Sequence, residues 1–269
     1  MKAISLNEYL SSENLWAGRL LGFEPFAKQR DRNFVKELYD DGIWGERYEK
    51  HADAPEVMKE KILRYEIAGE RVVSLSEALF VANSSQFQNY TNSVIEATIN
   101  EFADKDHICE LGCGIGTNLL RLSQGRGDRA YYGGELAQSG VKLGTLFGLK
   151  VSQFDYYQRA DYKMIDEGTS VLTVHSIEQI PDARVIIENL SSVRSKIKRV
   201  IHFEPLANPE RTSFFGLIRN RYKEMNDYNG NLLEVLRERT DVQILKQDFD
   251  VYGLNPLNPT SILVWEFID

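Results

Sequence analysis

The chain has 269 residues, a formal charge of −8 at neutral pH, and 27% charged residues. This length accommodates one large domain, or one domain with a substantial appendage. The negative charge argues against nucleic acid as the main partner, and no apolar run reaches the roughly 20 residues that span a bilayer. The two cysteines, Cys109 and Cys113, lack further Cys or His nearby, so we expect no metal site. Because the N-terminus has no basic start followed by an apolar block, we expect a cytoplasmic protein.

The first part of the chain reads as helical. Apolar residues at helical spacing predict helices over residues 5–21, 34–48, 55–68 and 88–102. Ser74-Leu-Ser-Glu77 has the form of a capping box before a further helix, and only residues 71–74 suggest a strand. We therefore predict a helical cap over residues 1–100, which is also the expected contact of a homodimer.

After about residue 104, short apolar runs alternate with helical segments, as in a doubly wound α/β sheet. The predicted helices lie near residues 117–123, 137–147, 182–195, 212–222 and 230–239. The predicted strands are 107–111, 130–135, 150–155, 170–175, 199–204, 242–249 and 261–268. No helix-length segment separates the last two strands, so the last strand should be antiparallel. The prediction for residues 101–269 is a Rossmann-like, seven-stranded α/β domain.

A glycine-rich turn follows the first of these strands. Alternate glycines at Gly112, Gly114 and Gly116 let a ligand approach bare backbone at the start of a helix. The dinucleotide fingerprint requires a small residue at the sixth position, which here is Thr117, so a nicotinamide cofactor is disfavoured. Glu135 ends the next strand about 20 residues later, where a ribose-binding carboxylate is expected.

The segment Glu110-Leu-Gly-Cys-Gly-Ile-Gly-Thr-Asn118 resembles the first motif of the class I S-adenosylmethionine-dependent methyltransferases of the small-molecule type. The resemblance covers about residues 85–269 and continues through the segments 134–140, 154–155, 175–182 and 203–205. It implies S-adenosyl-L-methionine as cofactor and methyl transfer to a small molecule, such as an amino acid or a natural-product intermediate. Two alternatives stay open: cyclisation or alkyl transfer with the same cofactor, and a non-catalytic, cofactor-binding scaffold.

The resemblance also implies roles for individual residues. Glu110 would hold the cofactor's amino group, Glu135 would accept both ribose hydroxyls, and Asp155 would accept from the adenine amino group. Each has a simpler alternative: Glu110 could be a helix-dipole partner, Glu135 an ordinary surface charge, and Asp155 a turn residue. The full implied cofactor set is Tyr90, Glu110, Gly112, Gly114, Gly116, Asn118, Glu135, Leu136, Phe154, Asp155, Tyr156 and His175.

His175 and Glu204 are the candidate catalytic residues, because each ends a strand where open α/β sheets place ligands. His175 is a candidate general base or a wall of the cofactor pocket. Glu204 is a candidate base or substrate contact, or a turn carboxylate.

Candidate substrate contacts lie in two later segments, 219–229 and 255–259. An arginine there could clamp a carboxylate or phosphate, although a solvated helix face and ordinary turn chemistry explain the same residues. The acceptor atom is left open among N, O and C. The candidates are Arg219, Arg221, Tyr228 and Asn255.

Overall fold

The structure is a computed structural model that describes residues 1–11, 20, 30–103, 105–124 and 129–268. Ten strands form one mixed sheet in the order β1-β3-β2-β9-β10-β8-β7-β4-β5-β6. The strands are β1 Lys2–Ile4, β2 Glu70–Leu75, β3 Ala78–Asn83, β4 His107–Leu111, β5 Tyr131–Glu135, β6 Lys150–Gln153, β7 Thr169–Val174, β8 Ile197–Glu204, β9 Val242–Gly253 and β10 Thr260–Phe267.

Strands β4 to β8 are parallel, and β10 lies between β8 and β9 and runs antiparallel to both. The predicted α/β, Rossmann-like architecture is therefore confirmed. The predicted number of seven strands was wrong for the whole sheet, because three strands from the N-terminal part extend the sheet beyond β9. The division of the chain at about residue 100 stays a prediction.

The capping-box letters at residues 74–77 belong to a hairpin turn instead of a helix start. Strands β2 and β3 pair antiparallel on either side of it, and Ser76 takes a left-handed φ of 50°. The β-branched Val72 and Val73 favour an extended backbone in β2. Ser74 of β2 then pairs with Gly253 of β9. The prediction of a helical cap was therefore wrong for β1 and β3, whereas the strand suggested at residues 71–74 lies within β2.

Helices make up most of the other described residues in the N-terminal part. Residues 32–51 run as one helical stretch, α2 Arg32–Glu37, a π-helical turn Leu38–Ile43 and α3 Trp44–His51. Pro55 occupies the first turn of α4, where its missing N–H costs nothing, and the Asn83 side chain caps α5 by accepting from Gln86 N. Of the predicted helix over 5–21, residues 12–19 and 21 lie outside the described part. The other bounds are α1 Leu6–Ser11, α4 Pro55–Leu63 and α5 Ser84–Phe102.

Helices cover both faces of the central sheet. Along β7, Val171 packs into a buried cluster with α8 and α10, whereas its neighbour Leu172 packs with Ile95 and Ile99 of α5 on the other face. The parallel strands consequently direct their carboxyl ends to one rim of the molecule. None of the described helices combines the length and apolar character needed to cross a membrane. The C-terminal helices are α6 Thr117–Leu122, α7 Gln138–Leu146, α8 Arg184–Ser191, α9 Phe214–Met225 and α10 Leu232–Arg237.

Candidate active site

A cavity of about 380 Å³ lies at the carboxyl ends of β4, β5 and β7. Its roof is the helical stretch of residues 32–51, here called the lid, which contributes Val35, Tyr39, Ile43 and Trp44. Three residues of the implied cofactor set do not line this cavity: Tyr90, Gly116 and Asp155. Those that do line it are Glu110, Gly112, Gly114, Asn118, Glu135, Leu136, Phe154, Tyr156 and His175.

The glycine turn depends on backbone that other residues rarely adopt. Gly112, Gly114 and Gly116 have φ values of 71°, 57° and 77°. A Cβ on Gly114 would lie 2.6 Å from Cζ2 of Trp44, and one on Gly112 would lie 2.5 Å from Cβ of Ser176. Gly116 instead packs against Leu149 and is the N-cap of α6. The first two glycines therefore make room at the cavity, and the third starts the helix.

Glu110 is 1% exposed and presents a carboxylate to the cavity. The Asn118 side-chain amide donates to its Oε1 at 2.7 Å, whereas Oε2 has no hydrogen-bond partner among the described residues. Burial raises the pKa of Glu110 to about 8, against the hydrogen bond from Asn118. A buried, unpartnered carboxylate oxygen is costly, so this atom indicates a donor that the protein itself does not supply.

Glu135 ties the glycine turn to the start of α7. Its Oε2 accepts from Gly114 N at 2.7 Å, and its Oε1 accepts from Ala137 N at 2.9 Å. Burial raises its pKa, and the backbone N–H donors oppose that shift. Each carboxylate oxygen has a second lone pair, so the pair of oxygens retains the capacity to accept from two hydroxyl groups.

Asp155 is buried outside the cavity lining and forms an ion pair with Arg32 of the lid. Its Oδ1 also accepts from Tyr157 N at 3.0 Å. The lid therefore pairs with one oxygen of this carboxylate, and the adenine contact stays a prediction. Tyr90, a predicted cofactor contact, lies outside the cavity lining as well. It is 42% exposed on α5 and packs against Phe87.

Phe154 and Tyr156 line the cavity and pack edge to face, with ring centroids 5.2 Å apart. The Tyr156 hydroxyl donates to Leu111 O at 2.8 Å and also bonds Ser176 Oγ at 2.8 Å. Tyr156 thus fixes the ends of β4 and β7 relative to each other while it forms part of the wall.

His175 follows β7 with a positive φ of 49°, an uncommon backbone for a histidine. Its Nδ1 lies 3.2 Å from Glu178 Oε2, and its Nε2 lies 2.6 Å from Thr260 Oγ1. Burial lowers the pKa of His175, but the charge and the hydrogen bond of Glu178 outweigh it, and the net shift is upward. Both ring nitrogens therefore have a protein partner, and of these two partners Glu178 lines the cavity together with His175.

Glu204 does not line the cavity, contrary to its predicted role as base or substrate contact. Its carboxylate accepts from the backbone N–H groups of Ser176 at 2.9 Å, Ile177 at 3.1 Å and Glu178 at 3.3 Å. Burial raises its pKa, against the charge of His175 and these donors. Glu204 therefore holds the turn after β7, and this turn carries the cavity residues His175 and Glu178.

The predicted substrate contacts also lie outside the cavity lining. Arg219 is 1% exposed and donates to Pro256 O and Ser76 O, so it joins α9 to the β2–β3 hairpin. Arg221 lies 3.5 Å from Glu224 on the same helix. Asn255 donates to the Tyr222 hydroxyl at 3.1 Å, and the Tyr228 ring lies 4.5 Å beneath the Arg30 guanidinium.

Sequence reasoning missed Glu178 and the lid residues of the cavity. Residues 34–48 were recognised as rich in aromatics, but nothing local indicates where that helix docks. Its docking depends on Asp40, whose Oδ1 accepts from Ser139 N at 2.8 Å. This carboxylate caps α7, whose own N-cap residue, Ala137, has no side-chain acceptor. Among the residues that the structure describes, no group of three or more His, Cys, Asp or Glu could hold a metal ion.

No family model matches the chain, and no curated protein matches it significantly. Solved structures do resemble it. The magnesium protoporphyrin IX methyltransferase of Synechocystis PCC 6803, with bound SAH, aligns with a TM-score of 0.54 and 12% identity, over 88% of this chain and 100% of that one. The fold is that of the class I S-adenosylmethionine-dependent methyltransferases.

Two further structures share this methyltransferase fold. The geranyl diphosphate C-methyltransferase of Streptomyces coelicolor A3(2) aligns with a TM-score of 0.50 and 10% identity, over 70% of this chain and 80% of that one. The [4+2]-cyclase SpnF aligns with a TM-score of 0.50 and 14% identity, over 70% of this chain and 83% of that one. At these identities the similarity establishes the fold and leaves the reaction to be argued from the cavity.

Proposed function

We propose that the protein is an S-adenosylmethionine-dependent methyltransferase that acts on a small molecule. The observation that carries this proposal is the unpartnered Oε2 of Glu110, a buried acceptor in the cavity beside the glycine turn. An ammonium group is its natural partner, since a charge-assisted hydrogen bond satisfies both members. The methionine part of the cofactor carries such a group.

The other residues at this end of the cavity suit the rest of the cofactor. Glu135 would accept from the ribose hydroxyls, and Gly112 and Gly114 would let the ligand approach the backbone closely. Thr117 and Leu136 also line this end. When bound, the cofactor would supply a methyl group already activated by a sulfonium centre.

At the other end, the chain has to align the acceptor, exclude water and remove a proton where needed. The lid supplies an apolar roof through Val35 and Ile43, whereas its Trp44 lies against Gly114 at the cofactor end. The Glu178 carboxylate, which lines the cavity, would pass the proton to Nδ1 of His175, while the Nε2–H of His175 donates to Thr260 Oγ1. The Glu178 carboxylate would then stabilise the imidazolium.

A roofed cavity supports a small acceptor more than a macromolecular one. It also supports an enzyme more than a scaffold, because a scaffold has no need of a space next to His175. Magnesium protoporphyrin IX and geranyl diphosphate, the compounds named for two of the similar structures, are both small molecules. A cytoplasmic location and a homodimer stay predictions.

Calorimetric titration with S-adenosylhomocysteine, S-adenosylmethionine and NAD tests this proposal. We expect the first two to bind, and Glu110→Gln to weaken both by about 10- to 100-fold, because a buried charged hydrogen bond is lost. Glu188→Gln, at an exposed position on α8, is the matched control and should bind normally. Tighter binding of NAD, or unchanged binding by Glu110→Gln, would overturn the assignment.

The fold shared with the cyclase SpnF favours one second candidate, a non-methyl reaction with the same cofactor. Product analysis separates the two, because methyl transfer releases S-adenosylhomocysteine in proportion to methylated acceptor.

A further inference from the structure

The described lining of the cavity contains acidic side chains without basic ones to match them. It includes the carboxyl groups of Glu110, Glu135 and Glu178, and no lysine or arginine. If the proposed function holds, Glu110 and Glu135 serve the cofactor. Glu178 has no such assignment.

Glu178 lies at the acceptor end. It follows β7, where its side chain is 7% exposed. It accepts from Gln179 Nε2 at 2.9 Å, from Asn258 Nδ2 at 2.8 Å, and contacts His175 Nδ1 at 3.2 Å. Gln179 and Asn258 are neutral donors that fix its orientation, and His175 balances its charge only when the imidazole is protonated. A carboxylate has about four acceptor positions, so one remains for a ligand.

The lid adds an aromatic ring to the cavity lining that contains this carboxylate. Tyr39 lines the cavity, and burial together with the nearby charge of Glu178 raises the pKa of its hydroxyl, which keeps the ring neutral. A neutral aromatic ring beside a carboxylate attracts a cation through its face and offers little to an anion.

Two arginines close to the lid are committed to other partners. Arg30 donates to Asn226 O at 2.5 Å and to the Gln179 side chain. Arg47 stacks on Trp44, with its guanidinium carbon 4.9 Å from the ring centroid. Neither residue belongs to the cavity lining. A carboxylate or phosphate acceptor would therefore meet Glu178 in a described lining that offers it no lysine or arginine.

We propose that the acceptor is a basic amine, which binds in its protonated form against Glu178 and Tyr39 and is methylated on nitrogen. This inference rests on the proposed function. The ammonium first loses a proton to His175, and its nitrogen then has a free electron pair. That pair forms the new N–C bond as the C–S bond breaks, and the electrons of that bond pass to sulfur. The second product is S-adenosylhomocysteine.

The test uses protein saturated with S-adenosylhomocysteine, titrated calorimetrically with 2-phenylethylamine, 2-phenylethanol and phenylacetate, three probes of similar size. We expect the amine, as its ammonium ion, to bind about 10- to 100-fold more tightly than the alcohol, as a charged hydrogen bond predicts, and phenylacetate to bind least. Glu178→Gln should reduce the preference to within about threefold, because the shape is kept and the charge is lost.

Two further variants keep the result interpretable. Glu178→Asp keeps the charge and should retain most of the preference, and exposed Glu188→Gln should leave it unchanged. All variants should bind S-adenosylhomocysteine normally, which also shows that they are folded.

The possible failures are distinguishable. Equal binding of the three probes, binding of none of them, or a preference for phenylacetate would overturn the amine proposal and leave the methyltransferase proposal standing. A preference that survives Glu178→Gln would overturn the role of Glu178. Failure of the wild-type chain to bind S-adenosylhomocysteine would overturn the proposed function, and the amine proposal with it.

Discussion

The two ends of the cavity are built from different parts of the chain. At the cofactor end, Glu110 is held by Asn118, 8 residues away, and Glu135 by Gly114, 21 residues away. At the acceptor end, His175 bonds Thr260 and Glu178 bonds Asn258, across 85 and 80 residues. A compact motif can therefore preserve cofactor binding while distant segments vary the acceptor. We expect substitutions at one end to leave the other end largely intact.

The largest expected effect is at His175. His175→Asn keeps a residue that tolerates positive φ, and it should lower kcat by about 100- to 10,000-fold because proton transfer loses its base. The dissociation constant of S-adenosylhomocysteine should change by less than about threefold, since no cofactor-end contact is touched. Steady-state kinetics and calorimetry on one preparation measure both quantities. If kcat and the affinity for S-adenosylhomocysteine fell by the same factor, the separation of the two ends would be contradicted.

Glu135→Ala should have the next largest effect, and this effect should be on the dissociation constant of S-adenosylhomocysteine. It leaves the buried N–H groups of Gly114 and Ala137 without their acceptor and removes the proposed ribose contact. Binding of S-adenosylhomocysteine should weaken by about 100-fold or more, because each ribose hydroxyl left without its acceptor costs about 1–3 kcal/mol. Normal affinity in this variant would remove the role of Glu135 in the cofactor site.

Glu110 gives the cofactor end a pH dependence of its own. Its pKa in the folded protein, about 8, lies above the ordinary value of 4.5, so the native state binds this proton more tightly than the unfolded chain. The free energy of unfolding should therefore fall as pH rises from about 5 to about 8, when no cofactor is present. Glu110→Gln should remove that fall and be more stable than wild type at about pH 8. Urea unfolding at both pH values checks the sign, and a wild-type curve as flat as that of the variant would refute it.

The smallest expected effect concerns the lid. Asp40→Ala removes the cap of α7, worth about 1 kcal/mol, and should speed dissociation of S-adenosylhomocysteine by about fivefold. Asp41→Ala is the control, because Asp41 is the exposed neighbour. Stopped-flow fluorescence of the tryptophans, including Trp44 in the roof, reports the release rate. Identical rates in the two variants would show that this cap does not hold the lid closed.

The same difference between local and distant contacts explains what the sequence predicted. Glu110, Gly112, Gly114 and Glu135 were predicted at the cavity because the turn, the strand and the next strand end lie within one short segment. The parallel strands were predicted for a similar reason, since each apolar run carries its own signal. Residues 71–74 of β2 were suggested as a strand, but β3 was missed because the letters of a capping box also suit a hairpin turn.

Arg219 and Asp155, two predicted site residues outside the cavity lining, have partners far away in sequence. Arg219 looked like a substrate clamp, but its Nε and Nη2 donate to the loop before β10 and to the hairpin. Asp155 was predicted as an adenine contact, but it lies outside the cavity lining and pairs with Arg32 of the lid. Glu178 gave no signal, because its role depends on the lid above it. None of these pairings has a local pattern from which it could be read.

The attachment of the β2–β3 hairpin has a consequence for how the protein is made. Ser74 and Leu75 pair with Gly253 and Tyr252 at the end of β9, so β2 can join β9 only after the residues up to Gly253 have been synthesised. Until then β2 keeps an unpaired edge, which exposes nascent chains to wrong pairing. Contacts between such distant segments also form slowly. We therefore expect the N-terminal strands to dock last, and ribosome-bound chains that stop short of β9 to be the species that most needs a chaperone.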